Sequence, residues 1–140
     1  MNHEALNQED DERLECARAW LKGHFTHDPD GKYGSVEGKL RLLDGILEAG
    51  WIEAGETWKL QALGIGFGDA LAQELGLHWV AVEDEWGRDP ALNWPGTTLL
   101  CFPLTMISKR IEGGEAVLIP ELFGTVAQSL RSVAAPGRYG

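Results

Sequence analysis

The residues best suited to chemistry form an acidic cluster with a tryptophan in the second half of the chain. The cluster consists of Glu83, Asp84, Glu85, Trp86 and Asp89. Carboxylates this close can raise one another's pKa, bind a hard metal ion or act as acid and base. They can equally present a negative surface to a basic protein, with the tryptophan as an apolar anchor. The third interpretation is a solvated loop in which Arg88 relieves the repulsion.

A polar segment nearer the N-terminus has part of the spacing of a calcium-binding loop. Against the EF-hand pattern, Asp28 and Asp30 take positions 3 and 5, Gly31 takes position 6 and Glu37 takes position 12. Position 1 would be Thr26, whose neutral hydroxyl replaces a carboxylate poorly, so an ordinary turn between helices is the stronger interpretation. Asp28, Asp30 and Glu37 are therefore a weak candidate cation site, and the sequence predicts neither a bound metal nor a cofactor.

Other chemical motifs are absent from the sequence or fail on spacing. The run from Gly64 to Gly68 has the pattern GxGxG, without the spacing or the preceding strand of a dinucleotide fingerprint. These two glycines lie four apart, so we expect them on one helix face, packed closely against another element. The two cysteines, Cys16 and Cys101, lie far apart among apolar neighbours, which favours free thiols. The sequence leaves enzyme activity open and favours its absence.

Composition limits the class of protein and its partners. The chain has 140 residues, of which 44% are hydrophobic and 24% are charged, as expected for one globular domain. Its net charge of −10 argues against binding to nucleic acid or to an anionic membrane. The acidic start lacks a secretory signal, and no apolar run is long enough to span a bilayer. We therefore expect a cytoplasmic protein.

Hydrophobic periodicity predicts a helix-rich α+β domain. A first helix is expected over residues 9–25, a second capped by Ser35, and a third capped by Thr57 and ending at Gly76. Two strands, residues 79–83 and 97–102, are expected to pair antiparallel across an irregular connection. Pro103 and Pro120 then open two further helices. The prediction is a single domain over residues 1–140 with a small antiparallel sheet and loose tails at residues 1–8 and 136–140.

Three stretches of sequence between residues 57 and 115 are distinctive: LQALGIGFGDAL, then W-x-x-V-x-D-E-x-G-x-D-x-A-L, then FPLTMISKR. Together they resemble a bacterial family known as domain of unknown function 3806. The first 56 residues lie outside this resemblance. The resemblance implies a small α+β domain and transfers no activity. By analogy alone, we expect some of these accessory bacterial domains to be linked to secretion or to toxin neutralisation.

These observations leave three hypotheses for function. The first is a non-catalytic protein-binding module, in its sharpest form an immunity protein that neutralises a basic toxin or effector through Glu83, Asp84, Glu85, Trp86 and Asp89. The second is a small enzyme that uses the same carboxylates. The third is a divalent-cation-binding regulatory module built on Asp28, Asp30 and Glu37.

Overall fold

The computed structural model describes residues 2–50, 52–53 and 55–134. Within these ranges the chain forms six α-helices and a three-stranded antiparallel sheet. The predicted fold class, a helix-rich α+β domain, is confirmed. Within these ranges no helix is both long and apolar enough to cross a membrane. The elements follow one another as α1 (Gln8–Lys22), α2 (Pro29–Tyr33), α3 (Val36–Glu48), α4 (Thr57–Leu75), β1 (His78–Asp84), β2 (Gly87–Asn93), β3 (Leu100–Cys101), a 3₁₀ turn (Pro103–Thr105), α5 (Met106–Glu112) and α6 (Ile119–Ala134).

Helix α4 is the centre of the fold, and residues 62–71 are buried without a break. It packs against α1, α3, α5, α6 and the 3₁₀ turn. A Cβ atom at Gly64 would lie 2.5 Å from the carbonyl oxygen of Leu104, and one at Gly68 would lie 2.6 Å from the indole ring of Trp79. The expected close approach at both glycines is therefore confirmed, because neither position has room for a side chain.

The helix ends follow local capping chemistry. Helix α1 begins with a capping box in which the Asn7 side chain accepts the N–H of Asp10, and the Asp10 carboxylate accepts the N–H of Asn7. This box starts the helix at residue 8, and the helix ends at residue 22, before the predicted residue 25. Ser35 caps α3 as expected. The cap predicted at Thr57 is wrong, because Thr57 is already helical and Glu56 precedes it without a side-chain cap.

The predicted strand pairing is wrong. Strand β1 does not pair with residues 97–102; it pairs antiparallel with β2, which occupies most of the stretch predicted as an irregular connection. The later segment contributes only β3, which pairs with the far end of β2 at Leu92 and Asn93. The sheet order is β1-β2-β3, so the central strand is the one that the sequence pattern did not predict.

Two features explain why the sequence pattern did not predict β2. Hairpins with two-residue turns usually carry glycine or asparagine at positive φ, whereas Glu85 and Trp86 have negative φ here. Pro90, which lacks an N–H, faces Ala81 in β1. The N–H and C=O of Ala81 bond to Glu4 on the other side of β1, so this pair needs no hydrogen bond from proline. Pro90 also lies beyond the end of β3, so the second ladder needs no proline N–H either.

The N-terminal segment, residues 2–7, is attached to the sheet. Glu4 donates its backbone N–H to the carbonyl of Ala81 at 2.9 Å and accepts the N–H of Ala81 at 2.8 Å. The expectation of a loose tail over residues 1–8 is therefore wrong from Glu4 onward, because backbone pairing and the α1 cap order the segment. The second predicted tail, residues 136–140, lies outside the described residues.

Candidate protein-binding site

The five residues predicted to bind a partner lie together on the hairpin that joins β1 to β2. We call residues 83–89 the acidic hairpin. Glu85 and Trp86 form its turn between the paired residues Asp84 and Gly87. The Asp84 carboxylate accepts the backbone N–H of Trp86 at 2.8 Å, which stabilises the turn. Trp86 is 88% exposed, so it lies outside the core.

The carboxylates of the acidic hairpin also face solvent. Glu83, Asp84, Glu85 and Asp89 are all exposed. Asp89 forms an ion pair of 3.2 Å with Arg13 of α1, and Glu83 lies 4.0 Å from Arg88. General acid–base catalysis requires groups that converge in a concave, water-excluding site. The exposed arrangement does not provide such a site.

Arg88 holds the acidic hairpin against the start of α1. Its guanidinium donates to both carboxylate oxygens of Asp10, with the shortest contact at 2.7 Å, and also donates to Glu4. Hydrogen bonding from Arg88 lowers the pKa of Asp10. The sequence alone suggests that Arg88 relieves repulsion within the hairpin. The structure instead directs it mainly to the N-terminal residues.

Trp94, which the sequence placed in the same loop region, has a different environment. It follows β2, is half-buried and packs against the main hydrophobic core. Trp86 is therefore the exposed aromatic ring of the acidic hairpin, whereas Trp94 packs at the margin of the core.

The candidate cation loop does not assemble. Asp28 caps the short helix α2, where its carboxylate accepts the N–H of Gly31 at 3.3 Å. Asp30 pairs with Lys22 at 3.1 Å, and Glu37 pairs with Arg41 at 2.7 Å. In the described residues no group of three or more histidine, cysteine, aspartate or glutamate side chains could hold a metal ion. Helix α2 takes the place of the open EF-hand conformation, so the structure does not bring Asp28, Asp30 and Glu37 together around one point.

A buried carboxylate outside the predicted site lies on α4. Asp69 accepts two hydrogen bonds from Arg18, at 2.7 and 2.8 Å. It also accepts the hydroxyl of Tyr33 at 2.6 Å and the indole N–H of Trp79 at 2.9 Å. These donors come from α1, α2 and β1, so one side chain joins three elements to the central helix. We call these four residues the Asp69 centre.

The electrostatics of the Asp69 centre indicate a structural role. Burial alone would raise the pKa of Asp69, but the hydrogen bonds and charge of Arg18 hold it below its ordinary value. Burial and the negative charge of Asp69 raise the pKa of the Tyr33 hydroxyl. No buried side-chain nitrogen or oxygen among the described residues lacks a hydrogen-bond partner. The centre therefore has no orphaned donor or acceptor for a substrate.

A sequence feature could have identified Asp69, which the predicted site omits. It is the acidic residue within the apolar segment LQALGIGFGDAL, on a helix otherwise expected to be buried. A lone carboxylate in such a position needs charged or hydrogen-bonding partners. The sequence carries no comparable indication that the partners are Arg18, Tyr33 and Trp79.

The two thiols are expected to react differently. Cys16 is exposed, whereas Cys101 is buried, and burial raises the pKa of Cys101 to about 11. At pH 8 a chromogenic aromatic disulfide should therefore modify Cys16 in the native protein and Cys101 only after unfolding. A time course with and without denaturant measures this, and a Cys16→Ser variant should be unreactive until denaturant is added. Rapid modification of that variant in native buffer would contradict the assignment.

Comparison with known proteins identifies a family and a fold. The family model described as domain of unknown function (DUF3806) matches residues 39–123. The match extends beyond the resemblance at residues 57–115 and begins within α3, which packs against α4. A crystal structure from Bacteroides thetaiotaomicron VPI-5482 is similar with a TM-score of 0.73 and 17% sequence identity.

That likeness shows the fold alone. The alignment covers 89% of this chain and 46% of the Bacteroides chain, so this chain spans about half the length of that relative. No functionally curated protein matches the sequence. Function must therefore be argued from the surface and its chemistry.

Proposed function

This chain belongs to the DUF3806 family, and we propose that it is a non-catalytic protein-binding module whose acidic hairpin recognises a basic protein. The observation that carries the proposal is the indole of Trp86, 88% exposed at the tip of an ordered hairpin. Tryptophan is prominent among residues that dominate binding energy at protein interfaces. An exposed indole at a projecting turn can enter a partner's pocket without disturbing the core of its own domain.

The charge of the hairpin favours a basic partner. Asp84 and Glu85 form no ion pair among the described residues, and the cation nearest to Glu83, Arg88, is already bonded to Asp10. With a net charge of −10 on the whole chain, the surface should accelerate association with a positive protein. The same charge disfavours nucleic acid and anionic membranes as partners.

The attachment of the hairpin favours rigid recognition. Arg88 bonds to Asp10 and Glu4, and Asp89 bonds to Arg13, so both contacts join the hairpin to the N-terminal part of the fold. A surface ordered before binding loses less conformational entropy in the complex. The most specific form of the proposal is that this chain is an immunity protein that neutralises a basic toxin or effector. Free thiols fit a cytoplasmic location for this interaction.

Replacement of Trp86 tests the proposed anchor. The chain would be immobilised, a basic partner captured at low salt and purified, and its binding kinetics measured by surface plasmon resonance. Trp86→Ala should increase the dissociation rate by about 30-fold or more, the effect of losing an interface hot spot of about 2 kcal/mol. Its melting temperature should stay unchanged because the ring is exposed.

Trp58→Ala is the matched control for this variant. Trp58 is another exposed tryptophan, 52% accessible, on the first turn of α4. Its removal should leave the dissociation rate unchanged. Equal effects of the two variants would show non-specific adhesion. Unfolding of Trp86→Ala would show that the ring is structural, and unchanged binding would place the interface elsewhere.

Charge reversal tests electrostatic steering separately. Glu83→Lys combined with Asp84→Lys should lower the association rate by about tenfold or more at low salt, with little difference at high salt. The control combines Glu48→Lys with Glu74→Lys, two exposed positions on α3 and α4. The control makes the same change in net charge at other sites. Equal slowing by both pairs would show that net charge, and not the acidic hairpin, controls association.

A further inference from the structure

Strand β1 forms one edge of the sheet, and this edge is only partly covered. Its outer side is paired at Ala81, where Glu4 makes an isolated two-bond bridge. Backbone groups alternate along a strand, so the N–H and C=O of Glu83 point to the same outer side as those of Ala81. Among the described residues no backbone group bonds to Glu83 there. The edge is therefore open next to the turn that carries Trp86.

The segment that covers Ala81 is held to the edge by the two backbone bonds of Glu4 and by the contact of its carboxylate with Arg88. Residues 2–5 are exposed, and the next residue, Leu6, packs against the smaller hydrophobic cluster. Release of Glu4 would expose the outward backbone groups of Ala81 beside those of Glu83 and leave Leu6 in place. Arg88 would keep its contacts with Asp10, so removal of the Glu4 carboxylate does not leave that cation unpaired.

We propose that an extended segment of the basic partner adds to the outer edge of β1 and displaces Glu4 from Ala81. This inference rests on the proposed function, because it assigns the binding mode at the same surface. Strand addition provides backbone hydrogen bonds along an exposed sheet edge, while side-chain contacts provide specificity. The N-terminal segment acts as an internal competitor that protects the edge when the partner is absent.

Charge selects this occupant over a second copy of the chain. The exposed carboxylates of Glu83, Asp84 and Glu85 flank the open edge. Two copies meeting edge to edge would bring two such acidic surfaces together, and each chain carries a net charge of −10. A strand with alternating basic residues places positive side chains beside these carboxylates.

A peptide pair tests strand addition directly on the full chain. The probe is a nine-residue, acetylated and amidated peptide that alternates lysine and valine. The control has the same sequence with D-residues at three irregularly spaced positions, which keeps the charge but interrupts a regular strand. The all-L peptide should bind about tenfold more tightly. Amide exchange monitored by NMR should slow at Glu83 on binding of the all-L peptide only.

Release of the N-terminal segment should strengthen this binding. Glu4→Pro removes the N–H that bonds to Ala81, and the affinity for the all-L peptide should rise about three- to tenfold as the competent fraction increases. Ala5→Pro is the matched control, because the adjacent N–H points away from β1 and both bonds of Glu4 remain. Glu4→Gln keeps the backbone bridge while removing the charge, and its affinity should rise less than that of Glu4→Pro.

The outcomes separate strand addition from the proposed function. Equal binding of both peptides, with unchanged exchange at Glu83, would overturn strand addition and leave recognition by the acidic hairpin intact. Absence of binding to the wild type and to Glu4→Pro would also overturn it, while the captured-partner experiment judges the proposed function independently. Dimerisation of Glu4→Pro in place of peptide binding would overturn the choice of occupant. The exchange measurement on the wild type needs no variant to fold.

Discussion

Replacement of Asp69 by asparagine should lower the free energy of unfolding by about 3 kcal/mol. Loss of one partner from a buried ion pair costs about 3–5 kcal/mol, because the remaining charge stays desolvated. The lower end applies here because the Arg18 side chain is 22% exposed and keeps its ion pair with Glu15. Denaturant unfolding followed by circular dichroism measures the change.

Two matched variants separate the buried charge from its surroundings. Glu15→Gln removes the exposed partner of the same arginine and should cost no more than about 0.5 kcal/mol. Tyr33→Phe removes one hydrogen bond to Asp69 and should cost about 1–2 kcal/mol. A loss for Asp69→Asn no larger than that for Glu15→Gln would show that the Asp69 centre does not join the helices energetically.

The same substitution should change the response to acid. The pKa of Asp69 is lowered in the folded state, so its stabilising contribution is complete above the unfolded value of about 3.9. That contribution disappears as pH falls through the folded pKa. The stability difference between wild type and Asp69→Asn should therefore be constant from about pH 7 to 5 and shrink below about pH 4.

Asp10 belongs to the background of this experiment. The pKa of Asp10 is also lowered, mainly by Arg88, so acid weakens the contact between Asp10 and Arg88 in both proteins. This loss is the same in both and therefore cancels from the stability difference. A stability difference that stays constant down to pH 2, with both proteins still cooperative, would show that Asp69 does not titrate in that range as its contacts imply.

The helical part of the fold was predictable because its determinants are local. Ser35 lies immediately before the helical periodicity of α3, and Gly76 ends α4 in the left-handed conformation. The strand order was not predictable from the same kind of pattern. Strand β2 contains Pro90 and begins after a turn without the usual positive-φ residues, so local propensity disfavoured it. Its position depends on pairing with β1 on one side and β3 on the other.

The candidate site was likewise predictable only in part. The acidic cluster could be found in sequence because its members are neighbours in the chain, and the hairpin keeps them neighbours in space. The contacts that position the acidic hairpin could not be found in this way, because Arg88 bonds to Asp10 and Glu4, which are 78 and 84 residues away in the sequence. The Asp69 centre likewise joins residues from α1, α2, α4 and β1. Such groupings follow from tertiary packing, which one sequence does not specify by spacing.

Replacement of Gly68 by leucine should destabilise the protein by about 1–3 kcal/mol through overpacking. A Cβ atom there would lie 2.6 Å from the Trp79 ring and 2.8 Å from Pro103. Displacement of Trp79 would also lengthen its hydrogen bond to Asp69, now 2.9 Å. The backbone conformation of Gly68 is ordinary helix, so the penalty arises from space and not from φ.

The control for this variant is the same replacement at Gly45, an exposed position in α3 where a Cβ atom would have no neighbouring atom within 4 Å. Leucine is a better helix former than glycine by roughly 0.5–1 kcal/mol, so Gly45→Leu should leave the protein equally or more stable. Opposite signs for the two variants, measured as shifts in melting temperature, would isolate packing from helix propensity. A neutral result for Gly68→Leu would show that α4 and the indole of Trp79 can separate without cost, contrary to a close-packed centre in which Asp69 joins the same elements.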